Sequence, residues 1–283
     1  MKLVRFGQPG AERPGILASD GTLRDLSGLV PDIGGAVLSD QGLAMLRALD
    51  PLVLPQVPEG ARLGPPVAGV GKFICIGLNY ADHAAESGME VPPEPVIFMK
   101  ATSAICGPDD PVLIPPGSEK TDWEVELAFV IGKRARHVPE ERAMEHVAGY
   151  MIANDVSERS FQIEHAGQWT KGKSYDHFGP VGPWLVTRDA VADPQDLAMR
   201  CTVSGQVMQQ GSTRTMVYGV GFLVSYLSRF MTLEPGDIVS TGTPPGVGMG
   251  MKPPRYLRAG DVLELEVEGL GRQRQEVVAD PLG

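Results

Sequence analysis

Glu124 and Glu126 stand two residues apart in the stretch TDWEVELAFVIG, residues 121–132. In a strand of period two, that spacing puts both carboxylates on one face and Val125, Leu127 and Phe129 on the core side. Asp122 shares the carboxylate face at the strand's start. Like charges this close make each other costly to ionise unless a cation neutralises them. A hard divalent ion bound through oxygen does that. A solvated strand face is the competing reading, since most glutamates sit in water. Asp155 ends the apolar run GYMIAND and offers a third oxygen from a second strand, although Asn-Asp before Val-Ser is also a cap or turn signal. With no Cys or His in the set, Glu124, Glu126 and Asp155 favour Mg²⁺ or Mn²⁺ over Zn²⁺.

Four further groups could act beside such an ion. His83 and Glu86, three apart in ADHAAESG, share a helical face, so the carboxylate can orient the imidazole as a general base toward water. An exposed His beside a Glu is the bland alternative. Lys173 in WTKGKSYD, with Lys171 as the alternative, could neutralise a substrate carboxylate or a developing enolate. Arg159 and Gln162, again three apart, could face the same ligand. TGTPPGVG, which includes Thr243, offers a hydroxyl and backbone N–H groups, and a plain turn explains it almost as well.

The elements that must position these residues are mostly short strands. KFICIGLNY, VIFMK, the glutamate stretch and GYMIAND read as strands, AMRCTVSGQVMQQGS as a hairpin, and AGDVLELEVEGLGRQRQEVV as two alternating strands. Helical spacing marks Leu38–Leu49, with Ser39 or Asp40 as cap, and Val220–Phe230. Pro139–Ala148 also reads as a helix, with Ala143, Met144 and Val147 as its packed stripe. The segment 107–120 reads as a Pro-rich loop. Residues 81–94, with Gly88 and three prolines, could be a lid over the pocket. Repeated Gly-Asp turns before strands argue for a mainly β body of mixed topology with short helices, not a regular βαβ fold. Residues 1–65 read as a small N-terminal α+β domain followed by a Pro/Gly-rich connection, and 70–283 as the larger catalytic unit.

Composition narrows the function classes. The chain has 283 residues and a net charge of −10, from 25 basic and 35 acidic side chains. There is no Lys/Arg cluster to follow a phosphate backbone, so nucleic acid is not an expected partner. No stretch approaches the ~20 apolar residues of a membrane helix. The three cysteines, Cys75, Cys106 and Cys201, are far apart and odd in number. They read as buried thiols of a cytoplasmic protein. GxGxxG is missing from any strand-turn-helix context, which argues against a dinucleotide site.

Taken in order, GLNYADHAAE, the FMK strand, DWEVELAFVIG, GYMIANDVSERSFQ, KGKSYDHFGPVGP, LEPGDIVSTGTPPGVG and GDVLELEVEGLG resemble the fumarylacetoacetate hydrolase superfamily over about residues 70 to 280. The resemblance implies a mixed β-roll, usually a dimer, with the N-terminal unit as an accessory domain. It implies Glu124, Glu126 and Asp155 as ligands of Mg²⁺ or Mn²⁺, His83 with Glu86 as the catalytic pair, and Lys173, Arg159, Gln162 and Thr243 around the substrate. A further aspartate ligand known in the family is not carried over to Asp82. The implied activity is hydrolysis of the C3–C4 bond of a 2,4-diketo acid, a carbon–carbon hydrolase reaction. The whole-chain pattern points to a 2,4-diketo-3-deoxy sugar acid of the L-rhamnonate or L-fuconate type, giving pyruvate and a hydroxy acid such as lactate. Ureidoglycolate lyase, oxaloacetate decarboxylase or acylpyruvase, and a small-acid binding module with a structural cation are the alternatives.

Overall fold

The computed structural model describes residues 1–82 and 91–282. Its β-branched, alternating stretches are cut short by Gly and Pro, and so pair as many brief strands. In chain order these are β1 (Lys2–Phe6), β2 (Arg13–Leu17), β3 (Leu23–Asp25), β4 (Leu63–Gly64), β5 (Phe73–Gly77) and β6 (Val96–Lys100). Next come β7 (Ile105–Cys106), β8 (Val112–Ile114), β9 (Thr121–Asp122), β10 (Val125–Ile131), β11 (Val147–Asn154) and β12 (Ser157–Glu158). The last six are β13 (Gly179–Thr187), β14 (Ala198–Val203), β15 (Gln206–Ser212), β16 (Ile238–Ser240), β17 (Val262–Val267) and β18 (Gly271–Ala279). The described α-helices are α1 (Asp40–Arg47), α2 (Thr170–Lys173) and α3 (Val220–Phe230).

One large sheet runs β3-β2-β1-β13-β11-β10-β16-β5-β6, with β4 on β1 and β7 on β13. A five-stranded sheet, β15-β14-β17-β18-β8, packs against it, and β9 pairs with β12. Most pairs are antiparallel, but β16/β5, β13/β7 and β18/β8 are parallel. This is the mainly β, mixed β-roll with short helices that the sequence led us to expect. β1 joins the body directly, Lys2 standing opposite Val186 of β13, so the N-terminal strands extend the edge of the large sheet. Ser39 caps α1 by accepting from the Gly42 N–H, and Leu43 and Leu46 form its buried side.

β10 lies deep in this arrangement, and both of its faces are covered. Val125, Leu127, Phe129 and Ile131 join the core shared with Met199, Cys201, Leu263 and Leu265 of the smaller sheet. Ala128 and Val130 join a second core with Leu3, Ile16, Leu38 and Leu46. The carboxylate face is therefore not a solvated one: Glu124 is 6% and Glu126 2% exposed.

Several local readings change. The 121–132 stretch is two strands, because the Trp123 N–H turns to Asp122 Oδ1 and the Glu124 N–H to Asn154 Oδ1 instead of a strand ladder. Glu140–His146 forms 3₁₀ turns, with Met144 exposed and Val147 already in β11, not the helix expected there. The loop 107–120 contains β8, which finds its partner in distant β18. All three cysteines are free and buried, as expected. Among the described residues, no helix is long and apolar enough to cross a membrane.

Candidate metal centre and active site

Pairing between strands builds the carboxylate cluster. Glu126 sits on β10 opposite Ala153 of β11, and its Oε2 accepts from the Ser240 hydroxyl at 2.5 Å and the Gly242 N–H at 2.9 Å. Gly242 has φ +98°, and a Cβ there would lie 3.0 Å from the Asn79 Cβ and 3.1 Å from the Ile76 carbonyl oxygen, so glycine lets this N–H reach the carboxylate. Asp155 follows β11, and its N–H donates to the Glu124 carbonyl at 3.0 Å. Glu124, Glu126 and Asp155 each offer an oxygen within 4.8 Å of the others, and all three are buried.

Cations surround this cluster. Lys173 Nζ bridges Glu124 Oε2 at 2.7 Å and Asp155 Oδ2 at 2.9 Å. Lys100 Nζ stands 2.5 Å from Asp155 Oδ1. Arg159 reaches Glu124 Oε1 at 2.7 Å while its Nε donates to Asp122 Oδ2 at 2.8 Å. Burial and then the neighbouring charges of Asp155 and Glu124 push the Glu126 pKa well above the ordinary carboxylate range, against the opposing Ser240 hydrogen bond. Burial works against the charge of Lys173, but Asp155 and Glu124 outweigh it, and its pKa is raised. Arg159 is raised in the same way by Asp122 and Glu124.

These residues fit a hard divalent cation. The donor set is oxygen only, and Asp155 Oδ1 is a buried oxygen that accepts no hydrogen bond, since Lys100 is close to it but outside hydrogen-bond geometry. Ser240 and Gly242 both engage Oε2 of Glu126, which leaves its Oε1 as a ligand atom. Oxygen donors of this kind suit Mg²⁺ or Mn²⁺.

The cluster lines a cavity of about 260 Å³. Arg159, Gln162, Lys173 and Thr243 line it, as do the apolar side chains of Ile76, Leu78, Phe98, Ile163, Trp169 and Met249. Arg159 donates to Gln162 Oε1 at 3.0 Å, so the pair does share a face. Lys173 is the buried lysine of WTKGKS, whereas Lys171 is exposed and donates to the His165 carbonyl. The Thr243 hydroxyl donates to the Val125 carbonyl and accepts from Gln209, so its proton is engaged within the protein. Asp82 is exposed and accepts from Thr215, apart from the carboxylate cluster. His83 and Glu86 lie outside the described residues, as does most of the lid expected at 81–94.

Sequence reasoning passed over three contributors. In sequence Lys100 is only the end of an apolar strand, although a lysine closing VIFMK is itself a signal of a buried partner. Asp122 shares the carboxylate face in sequence, but its role is to hold Arg159 through Oδ2 while its two oxygens accept the N–H groups of Gly248 and Met249. Trp169 packs edge-on to Phe98 with ring centroids 5.3 Å apart. It rests where a Cβ on Gly77 would lie 2.4 Å from its ring.

The family model described as fumarylacetoacetate (FAA) hydrolase C-terminal matches residues 72–278. The chain belongs to the fumarylacetoacetate hydrolase family. A Burkholderia multivorans protein whose name goes no further than hydrolase is 62% identical over 276 residues, covering 97% of this chain and 98% of its own. The fumarylacetoacetate hydrolase of Exiguobacterium antarcticum superposes with a TM-score of 0.84 at 40% identity, over 99% of this chain and 100% of that one. Maleylpyruvate hydrolase from Sphingobium sp. SYK-6, solved with manganese(II) and pyruvate, gives a TM-score of 0.81 at 32% identity over 99% of each chain. Fumarylacetoacetate hydrolase family membership and the Glu124, Glu126, Asp155 cluster together support a metal-dependent hydrolase or isomerase of this superfamily.

Proposed function

We propose that the protein is a divalent-cation-dependent hydrolase that cleaves the C3–C4 bond of a 2,4-diketo acid with water, yielding pyruvate and a second acid. The observation that carries this reading is the meeting of three buried carboxylates with Arg159 and Lys173 in one cavity whose wall also carries apolar side chains. Mg²⁺ or Mn²⁺ held by Glu124, Glu126 and Asp155 would supply a Lewis acid for the 2-keto acid end of the substrate. Arg159 and Gln162 orient the substrate carboxylate, and Lys173 pairs with the negative charge that develops on the C2 oxygen. His83, oriented by Glu86, takes a proton from the water that attacks C4, an assignment that rests on the sequence. The tetrahedral centre then collapses, the C3–C4 electron pair moves toward C3, and protonation at C3 completes pyruvate. The related maleylpyruvate hydrolase with manganese and pyruvate supports both the cation and this product.

Within this class, the whole-chain sequence pattern supports a 2,4-diketo-3-deoxy sugar acid of the L-rhamnonate or L-fuconate type, releasing a hydroxy acid such as lactate. A second reading, an acylpyruvase, draws on the cavity wall. Hydroxyl groups on a substrate tail would meet the side chains of Ile76, Leu78, Phe98 and Ile163, which offer a hydroxyl group no partner. We also read residues 1–65 as an accessory unit, which the start of the family match at 72 supports. The protein is read further as a cytoplasmic homodimer on the strength of the resemblance and the three unpaired cysteines.

The test measures pyruvate release from a 2,4-diketo-3-deoxy sugar acid and from a straight-chain acylpyruvate, with and without EDTA, using wild type and Glu126→Ala. Cation-dependent release that the variant loses supports the hydrolase, and the preferred substrate decides between the two readings. Binding of both acids without turnover would replace the enzyme reading with a small-acid binding module. Cleavage of ureidoglycolate alone would replace it with the lyase reading.

A further inference from the structure

The strand VIFMK puts Lys100 at the end of β6, opposite Phe73 of β5, and buries its side chain completely. Burying an ammonium group is costly unless close partners compensate it. Its three partners come from two other parts of the active site. Nζ stands 2.5 Å from Asp155 Oδ1, donates to the Val156 carbonyl at 3.0 Å and donates to the Lys173 carbonyl at 2.7 Å. Two of the three N–H groups of the ammonium are thus hydrogen-bonded, and its contact with Asp155 is an ion pair.

Asp155 is thus held from both sides, Lys100 at Oδ1 and Lys173 at Oδ2. Of the two lysines only Lys173 lines the cavity. Through its carbonyl, Lys173 is fixed to the same ammonium that orients the carboxylate it pairs with. The main chain after β11 and the C-terminal end of α2 therefore share one buried charged anchor.

We infer that Lys100 is a positioning residue that sets Asp155 and Lys173 at their working separation, orienting one ligand of the cation and the one lysine that meets substrate. The inference rests on the reading of Glu124, Glu126 and Asp155 as a cation site. Residues that orient metal ligands from behind alter affinity or activity by about 10- to 100-fold when replaced.

The experiment titrates wild type, Lys100→Met, Asp155→Asn and the double variant with Mn²⁺ alone, reading free Mn²⁺ by electron paramagnetic resonance. Turnover parameters are measured separately at saturating Mn²⁺. Lys100→Met should bind Mn²⁺ about tenfold more weakly or worse and lose kcat more than KM. In the Asp155→Asn background the same substitution should add little further loss of Mn²⁺ affinity, because the two residues act as one unit. If Lys100→Met alone does not fold, the double variant, which removes both buried charges, should recover folding. Wild-type Mn²⁺ affinity and kcat in folded Lys100→Met, fully additive losses, or, where Lys100→Met does not fold, a double variant that folds no better would overturn the inference. Wild type that binds no Mn²⁺ would instead remove the cation site itself, and the inference with it.

Discussion

Gly172 is the position where one added methyl group would move the active site without touching a functional group. It precedes Lys173 in α2, and a Cβ there would lie 2.6 Å from each of the Gln162 Cβ, the Gln162 backbone nitrogen and the Glu158 carbonyl oxygen. Two of these atoms are backbone, so no flexible side chain can swing aside. Ordinary carbon contacts need roughly 3.5 Å, so α2 and the 158–162 turn must part by about 1 Å. These two segments carry Lys173 on one side and Arg159 with Gln162 on the other. Alanine in place of glycine within a helix otherwise gains about 1 kcal/mol, whereas overpacking of this kind costs about 1–3 kcal/mol. Gly172→Ala should therefore lose up to about 2 kcal/mol in denaturant unfolding, opposite in sign to its helix propensity. Separating Lys173 from Arg159 by about an ångström should lower kcat/KM for pyruvate release by about 100-fold. Gly28→Ala, whose Cβ would meet nothing within 4 Å, serves as the control and should match wild type. Wild-type stability and turnover in Gly172→Ala would refute the claim that close packing at this glycine fixes the site.

Two further perturbations probe the charges. Because the Glu126 pKa is raised in the metal-free protein, this group favours the folded state below its ordinary pKa, and that contribution is lost as pH rises through the raised value. The metal-free protein should therefore show a Tm that falls over that window, Mn²⁺ should reverse the fall, and calorimetry in buffers of different ionisation enthalpy should detect up to about one proton released per ion bound. No proton release on binding would contradict a raised Glu126 pKa. Asp122→Asn removes the charge that holds Arg159 and should destabilise the protein by about 3 kcal/mol. It should also raise KM for the diketo acid more than it lowers kcat, and an unchanged KM would deny Arg159 its place at the substrate carboxylate.

Much of this protein is legible in local pattern. Helical spacing with a serine cap gives α1 from Leu38–Leu49, and α3 spans the expected Val220–Phe230, because side-chain periodicity and capping act within a few residues. Glu124, Glu126 and Asp155 stand out on the same grounds, as charges set into apolar runs. The 3₁₀ turns at Glu140–His146 escaped because the same apolar spacing is compatible with either helix type. What the sequence by itself determined, then, is which segments become strands and helices and which residues could hold a cation. Only the tertiary structure decided that both faces of β10 are buried, which turns a carboxylate face from a solvated surface into a charged cluster that must be neutralised. It also brought Lys100 of β6 to Asp155 after β11, and Asp122 to Arg159. Those pairings link residues far apart in the chain, and strand order and burial set them, which no short-range periodicity encodes.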